Sequence, residues 1–286
     1  EIFLTNKVEQ EIEMIWVLDN SHSMGDEHAK VASNFASFMA EVNGRSKLKM
    51  GVISSTGRWG VDLTSYGVEQ IDTQVGSHTS LMLATSSLCD AAQSEGNHGF
   101  SRAKVCGDVV TANPIDITKV NDTKGKFKNF YNRRSKNIMI IVSDDDADGV
   151  TSKNFLNLVK DQKLANELEF YAFIGKDSLN CYSERSGDHY EKIAKETGGQ
   201  TFDICGNWSK HFKDLSRSVL TVRKKPITLA NRPTEVKWVK VGDRVLAKDK
   251  TSFCTLWILF CSDFGTLNIA NVSLEKYGGL VNTRSA

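Results

Sequence analysis

Three short stretches of this chain carry oxygen donors at spacings that suit chemistry. The first is Asp19-Asn20-Ser21-His22-Ser23, one carboxylate and two hydroxyls at alternate positions. Carboxylates and hydroxyls are hard donors, suited to Mg²⁺ or a similar hard cation (Mn²⁺ or Ca²⁺) and not to a soft metal. The second is Ser143-Asp144-Asp145-Asp146-Ala147-Asp148, and the third is Gly76-Ser77-His78-Thr79. Each stretch also has an ordinary reading. Asp, Ser and Thr are preferred helix N-caps, and a run of aspartates reads as a solvated acidic loop. The metal reading rests on all three occurring together, each following an apolar strand and opening a helix.

The positioning elements are legible from apolar periodicity. Ile12 to Leu18 is a buried strand that stops at Asp19. A helix follows, with Ala29, Ala32, Phe35, Ala36, Met39 and Val42 on one face, and Asn43-Gly44 ends it. Leu48 to Ser54 is a second strand, and Gly67 to Val75 a short one before a helix from Ser80 to Ala92. Asn137 to Val142 is the most strongly apolar strand and ends at Asp144. Helix Thr151–Leu164, strand Leu168–Ile174, helix Asp188–Glu196, strand Gln200–Ile204 and helix Trp208–Val222 complete the series. This alternation predicts an α/β fold, an open, mostly parallel, doubly wound sheet with strands covered on both faces. Groups at the carboxyl ends of the strands then share the rim where such folds bind ligands. Asp19 and Asp144 are expected to converge there, and a divalent cation would relieve their repulsion.

Two stretches depart from the alternation. Residues 95–136 are long and polar, an insertion with its own small structure that is expected to serve partner choice and not to hold the fold. Residues 223–286 read as a small C-terminal β appendage, with strands at Phe253–Phe260 and Leu267–Leu274 and a possible pairing with residues 1–10. The expected domain is therefore 12–222.

Ile15-Trp16-Val17-Leu18-Asp19-Asn20-Ser21-His22-Ser23-Met24 resembles the first motif of von Willebrand factor type A domains. Val142-Ser143-Asp144-Asp145-Asp146 is similar to the later aspartate motif of exported bacterial members. The resemblance implies a metal-ion-dependent adhesion site built from Asp19, Ser21, Ser23, Thr79 and Asp144. The two serines would ligate directly, Thr79 in the ligand-bound state, and the aspartates directly or through water. It departs from the family at His22, where glycine is common, and in the long separation of Thr79 from Asp144. Asp145, Asp146 and Asp148 are candidates to supplement Asp144 or hold a second cation, against the plainer reading of a surface acidic loop.

A cation held mostly by neutral hydroxyls keeps residual charge and an open position for a partner's carboxylate. The implied function is a metal-dependent adhesion or recognition module for a protein or glycan ligand, with His22, Arg58, Trp59 and His78 on the surrounding rim. The alternative is a metal-dependent hydrolase or phosphatase on the same rim. Against it, the chain has no Asp-x-Asp at this position and no Gly-x-Ser-x-Gly elbow. A third reading is a metal that only staples loops. His28, His98, His189 and His211 are scattered and read as surface residues.

The chain has 286 residues with 36 Lys plus Arg and 35 Asp plus Glu, so no overall basic excess points to nucleic acid. The most apolar run, Thr255 to Cys261, is far too short for a membrane span. The chain starts at Glu1 and not at Met, as expected of a processed or trimmed chain, consistent with a removed export signal. Six cysteines, with no C-x-x-C pair, fit disulfides in an oxidising compartment or buried thiols. An exported location, periplasmic, cell-surface or secreted, is expected. Cys181–Cys205 is the predicted disulfide, and a Cys89–Cys106 bridge would tether the insertion. Cys254 and Cys261, roughly 23 Å apart if on one strand, are not expected to pair.

Overall fold

The computed structural model describes residues 10–57, 60–90, 92–95, 102–106, 109–110, 117–132, 134–162, 168–176 and 185–221, together with short strands between 239 and 281. The chain divides into two units, Glu9–Leu220 and a second formed by Glu1–Val8 with Thr221–Ala286.

In the larger unit, β1 (Gln10–Leu18) leads through a 3-10 turn into α1 (Gly25–Asn43), followed by β2 (Ser46–Ile53), β3 (Glu69–Ile71) and α2 (Ser80–Ser87). The inserted strands β4 (Ala92–Glu95), β5 (Arg102–Val105) and β6 (Val109–Val110) and helix α3 (Ile117–Thr123) come next. Then follow β7 (Lys136–Ser143), α4 (Ser152–Asp161), β8 (Leu168–Ile174), α5 (Asp188–Thr197), β9 (Thr201–Asp203) and α6 (Trp208–Leu220). Six strands form one sheet in the order β3-β2-β1-β7-β8-β9, and every pairing in it is parallel. The fold is α/β and doubly wound. The strand order reverses between β1 and β7, so the crevice at their carboxyl ends is the topological switch point.

Strand periodicity sorts the core into two faces. Ile15 and Val17 of β1 and Met139 and Ile141 of β7 face α2, α4 and α5. Ile12, Met14, Trp16 and Leu18 face α1 and α6 with Ile138, Ile140 and Val142. Trp16 is the hub of the second face, edge-on to Phe35 and Phe38 and stacked with Phe173 and Phe212. Both faces being covered explains why β1 and β7 are apolar without alternation.

Two boundaries differ from expectation. The strand expected over 67–75 is three residues long, Glu69–Ile71. The helix expected to reach Ala92 ends at Ser87. There Thr85, Ser86 and Ser87 turn their hydroxyls back on the helix's own carbonyls, a competition that shortens helices.

The insertion also differs. It has a structure of its own, the antiparallel sheet β4-β5-β6, but its second half is core. Val120, Phe127 and Phe130 are buried in the same cluster as Ile15 and Val17. The amides of Gly125 and Phe127 donate to the carbonyls of Ser86 and Ser87 at 3.0 and 2.8 Å, capping the open end of α2. The expectation that this whole segment is dispensable for folding is therefore corrected. The pairing Cys89–Cys106 is present, with Cα atoms 5.5 Å apart. Cys205 is disulfide-bonded, and its expected partner Cys181 lies outside the described residues, as do Cys254 and Cys261.

In the second unit, β10 (Val239–Val241) pairs antiparallel with β11 (Arg244–Ala247), and β12 (Leu274–Lys276) with β13 (Gly279–Val281). The strand expected over 253–260 lies outside the described residues, as does most of that over 267–274. Among the described residues no helix is long and apolar enough to cross a membrane.

Candidate functional site

The site lies at the switch point. The backbone N–H of Asp19 donates to Val142 O at 3.0 Å, so β1 stays laced to β7 until the chain leaves the sheet. The next residue, Asn20, ties in a second loop. Its N–H donates to Val75 O at 2.9 Å, and its side-chain oxygen accepts the Val75 N–H at 2.5 Å. The loop from Val75 to Thr79 is thereby fastened against the Asp19–Ser23 turn, and Asp144 follows β7 on the other side.

These three pieces converge. Asp19 is wholly buried; its Oδ1 accepts the Ser21 N–H at 2.9 Å, and its Oδ2 lies 2.8 Å from the Ser143 hydroxyl. The Ser21 and Ser23 hydroxyls are 3.0 Å apart, and Ser77 donates its hydroxyl to Ser21 Oγ at 3.0 Å. Asp144 is 3% exposed, and its Oδ1 has no hydrogen-bond partner.

Two hydroxyls of the Gly76–Thr79 turn lie near the cluster. Thr79, the N-cap of α2, is folded onto its own turn: its Oγ1 accepts the Gly76 N–H at 2.9 Å and lies 3.0 Å from Gly76 O. Ser77, two residues earlier, reaches Ser21 instead. Both stand in one Gly-Ser-His-Thr turn, held by the Asn20–Val75 hydrogen bonds and by the Ser143 hydroxyl, which lies 2.7 Å from Ser77 O.

Burial pushes the Asp19 carboxyl up to about 7, with the Asp144 charge adding to the rise against hydrogen bonds from Ser21 and Ser143. Asp144 is also raised, by burial first and by Asp145 and Glu27 after it, against a hydrogen bond from Ser23. Two buried carboxyls that resist ionisation, one with an orphaned oxygen, beside three clustered hydroxyls, make a donor set suited to a hard divalent cation. The fit is in the chemistry of the donors: an unsatisfied buried carboxylate oxygen is costly until a cation or donor meets it. The donors are mixed hydroxyl and carboxylate. Among the described residues no three His, Cys, Asp or Glu side chains converge as a metal-binding group.

The other aspartates of the run are engaged elsewhere. Arg185 donates from Nε to Asp145 Oδ1 at 2.5 Å, from Nη1 to Asp148 Oδ1 at 3.1 Å and from Nη2 to the Asp146 carbonyl at 3.3 Å. Asp146 Oδ1 accepts the N–H of His189 in the first turn of α5. Asp148 returns to the site, donating its N–H to His78 O at 3.0 Å. Arg185 thus clamps the loop that carries Asp144, a role that sequence spacing gave no sign of because the contacts span about 40 residues of chain.

On the rim, His22 and His78 are exposed. Arg58 and Trp59 lie outside the described residues. Before them in the chain, Thr56 donates its N–H and hydroxyl to Asp72 at 2.8 and 2.9 Å. His28 and His211 are not the surface residues expected. His28 is buried, donates from Nε2 to the Asp19 carbonyl at 2.5 Å, and is shifted down by burial. His211 packs against Phe173 and Phe202, and burial shifts it down as well.

Comparison with protein-family models and with characterised proteins finds no match to this chain.

Proposed function

We propose that the chain is a metal-dependent recognition module of the von Willebrand A type. In this reading Asp19, Ser21, Ser23 and Asp144 hold Mg²⁺, or Mn²⁺ or Ca²⁺ in its place, and Ser77 supplies a further hydroxyl, with Thr79 joining only when ligand is bound. The cation would supply a positive anchor with an open position for a carboxylate on a protein or glycan ligand. The chain's own residues do the rest. Asp19 orients Ser21 through its backbone amide, Ser143 holds the Asp19 carboxyl, and Asn20 brings the Ser77 loop within reach. The exposed His22 and His78 flank the opening and read the ligand around its anchor.

The observation that carries the reading is the orphaned Asp144 Oδ1, buried beside a hydroxyl cluster at the switch point of the sheet. The disulfides Cys89–Cys106 and at Cys205 support an exported location, periplasmic, cell-surface or secreted. The cation anchors a ligand in this reading and turns nothing over.

Calorimetry with Mg²⁺ on wild type and Asp19→Ala tests the site, and ligand capture from glycan and protein arrays with Mg²⁺ or EDTA tests the function. Saturable Mg²⁺ binding lost in Asp19→Ala, with ligand capture lost in EDTA, is the expected result. Equal Mg²⁺ affinity in the two proteins sinks the site. Metal-dependent phosphatase or esterase turnover would replace the recognition reading with the hydrolase.

A further inference from the structure

The chain's charge is near neutral overall but unevenly placed. Residues 119–136 hold seven cationic side chains and one acidic one, a net of +6, so the other residues together carry −5 against the chain's +1. This stretch is no loose tail. Phe127 and Phe130 are buried at 1% and 4% exposure and pin it to the sheet, while Lys124, Lys126, Lys128 and Arg134 between and beside them are exposed.

A second row of cations joins it. On β2 the alternate residues Lys47, Lys49 and Gly51 share one side. A Cβ on Gly51 would lie 2.7 Å from the Phe127 ring, and Lys49 Nζ sits 4.1 Å over the Phe130 ring and donates to Phe130 O at 2.7 Å. The amino-terminal end of β2, preceded by the exposed Arg45, is thus continuous with the basic segment. Glu11, Glu13 and Asp90 pair with Lys47, Lys49 and Lys128, and Lys136 is buried against Glu169 and adds nothing to the surface. Arg45, Lys126 and Arg134 have no ion pair among the described residues. The patch lies at the start of β1, β2 and β7, the opposite edge of the sheet from Asp19 and Asp144.

We propose that this edge binds a linear acidic polysaccharide. Its backbone is pinned by the buried Phe127 and Phe130, so the cations are already gathered before a ligand arrives. It is lysine-rich, and lysine acts as a compact point charge that accepts sulfate or carboxylate without fixed geometry. Its aromatic rings are buried, which leaves no platform for stacking bases. The one large apolar side chain exposed among the described residues is Tyr66, on the turn before β3, so nothing on the patch inserts into a bilayer. In the exported location proposed above, on which this choice of partner rests, extracellular polysaccharides are the polyanions at hand. The inference is independent of the metal site.

Heparin is the probe, and the full chain is used. Lys126→Glu/Arg134→Glu is compared with Lys153→Glu/Lys192→Glu, an equal charge reversal on α4 and α5. Wild type should bind heparin equally with Mg²⁺ or EDTA. The patch variant should lose about tenfold in affinity at physiological salt, with the slope of log K against log salt reduced by about two. The control variant should retain most of the binding. Equal loss in both variants means diffuse attraction and overturns the patch. Loss of heparin binding in EDTA transfers it to the metal site and also overturns it. Stronger binding to phosphatidylserine vesicles or duplex DNA, lost in the patch variant, overturns the choice of partner. Circular dichroism of each variant identifies any that fails to fold; Lys126→Ala then replaces it, with a smaller expected loss in the same direction.

Discussion

Asp19 and Asp144 set the pH behaviour of the site. The Asp19 carboxyl is raised from 3.8 to about 7 by burial. The folded protein therefore holds a proton there that the unfolded chain has lost between these values. Stability from this group is full below about 4 and is lost as pH rises to about 7; Asp144 acts in the same direction. A divalent cation reverses the balance, since it binds the ionised form. Mg²⁺ affinity should rise about tenfold per pH unit for each proton displaced below pH 7, then level off. Calorimetry from pH 5.5 to 8 checks this, and a flat profile would mean that neither carboxyl is displaced by metal. At pH 8 in EDTA, Asp144→Asn should melt no lower than wild type, because it removes a buried charge whose Oδ1 has no partner, while Mg²⁺ affinity falls at least about tenfold. For the third hydroxyl, Ser77→Ala should weaken Mg²⁺ binding more than Thr79→Val, which loses a turn bond worth about 1 kcal/mol. Arg185 gives a further test at this scale. It neutralises Asp145 and Asp148, so Arg185→Ala should open a weak second Ca²⁺ site, seen as a second calorimetric transition absent from wild type.

Among the elements, the segment from Ile117 to Asn132 matters more than its polarity suggests. Phe127 fills the space above Gly51, and the amides of Gly125 and Phe127 cap α2, the helix that starts at the site's own loop. Phe127→Ala should cost about 3–5 kcal/mol, read by urea unfolding; a cost below about 1 kcal/mol would return the segment to the surface. Replacing both Cys89 and Cys106 by serine opens a 17-residue separation and should cost about 3 kcal/mol. The β1, β7 and α1 elements were legible because their apolar patterns are long, and the convergence of Asp19 with Asp144 because both abut ends of neighbouring strands. Phe127 and Phe130 were hidden by the lysines between them, which give no 2.0 or 3.6 period. The contact of Ser77 with Ser21 was hidden because it joins residues more than 50 apart in the chain, and the clamp by Arg185 because its three contacts span about 40.

At the scale of the whole molecule, the sheet has chemically different ends. Its carboxyl rim gathers Asp19, Asp144, Asp145, Asp146 and Asp148, and its amino edge gathers the lysines that flank Phe127 and Phe130. The strand order opens the crevice between β1 and β7 beside these carboxyls. Among the described residues, the buried side chains of both core faces, around Ile15 and around Trp16, all lie between Ile12 and Val219. Every donor of the proposed metal site and every cation of the basic edge lies in the same span. A fragment of residues 9–220 should therefore fold alone, unfold in one cooperative transition and bind Mg²⁺ within about threefold of the full chain. Thermal melting followed by both near- and far-ultraviolet circular dichroism, with Mg²⁺ calorimetry, measures this. A fragment that lacks a cooperative transition would show that residues 221–286 complete the core. A folded fragment with lost Mg²⁺ binding would show instead that the second unit contributes to the site.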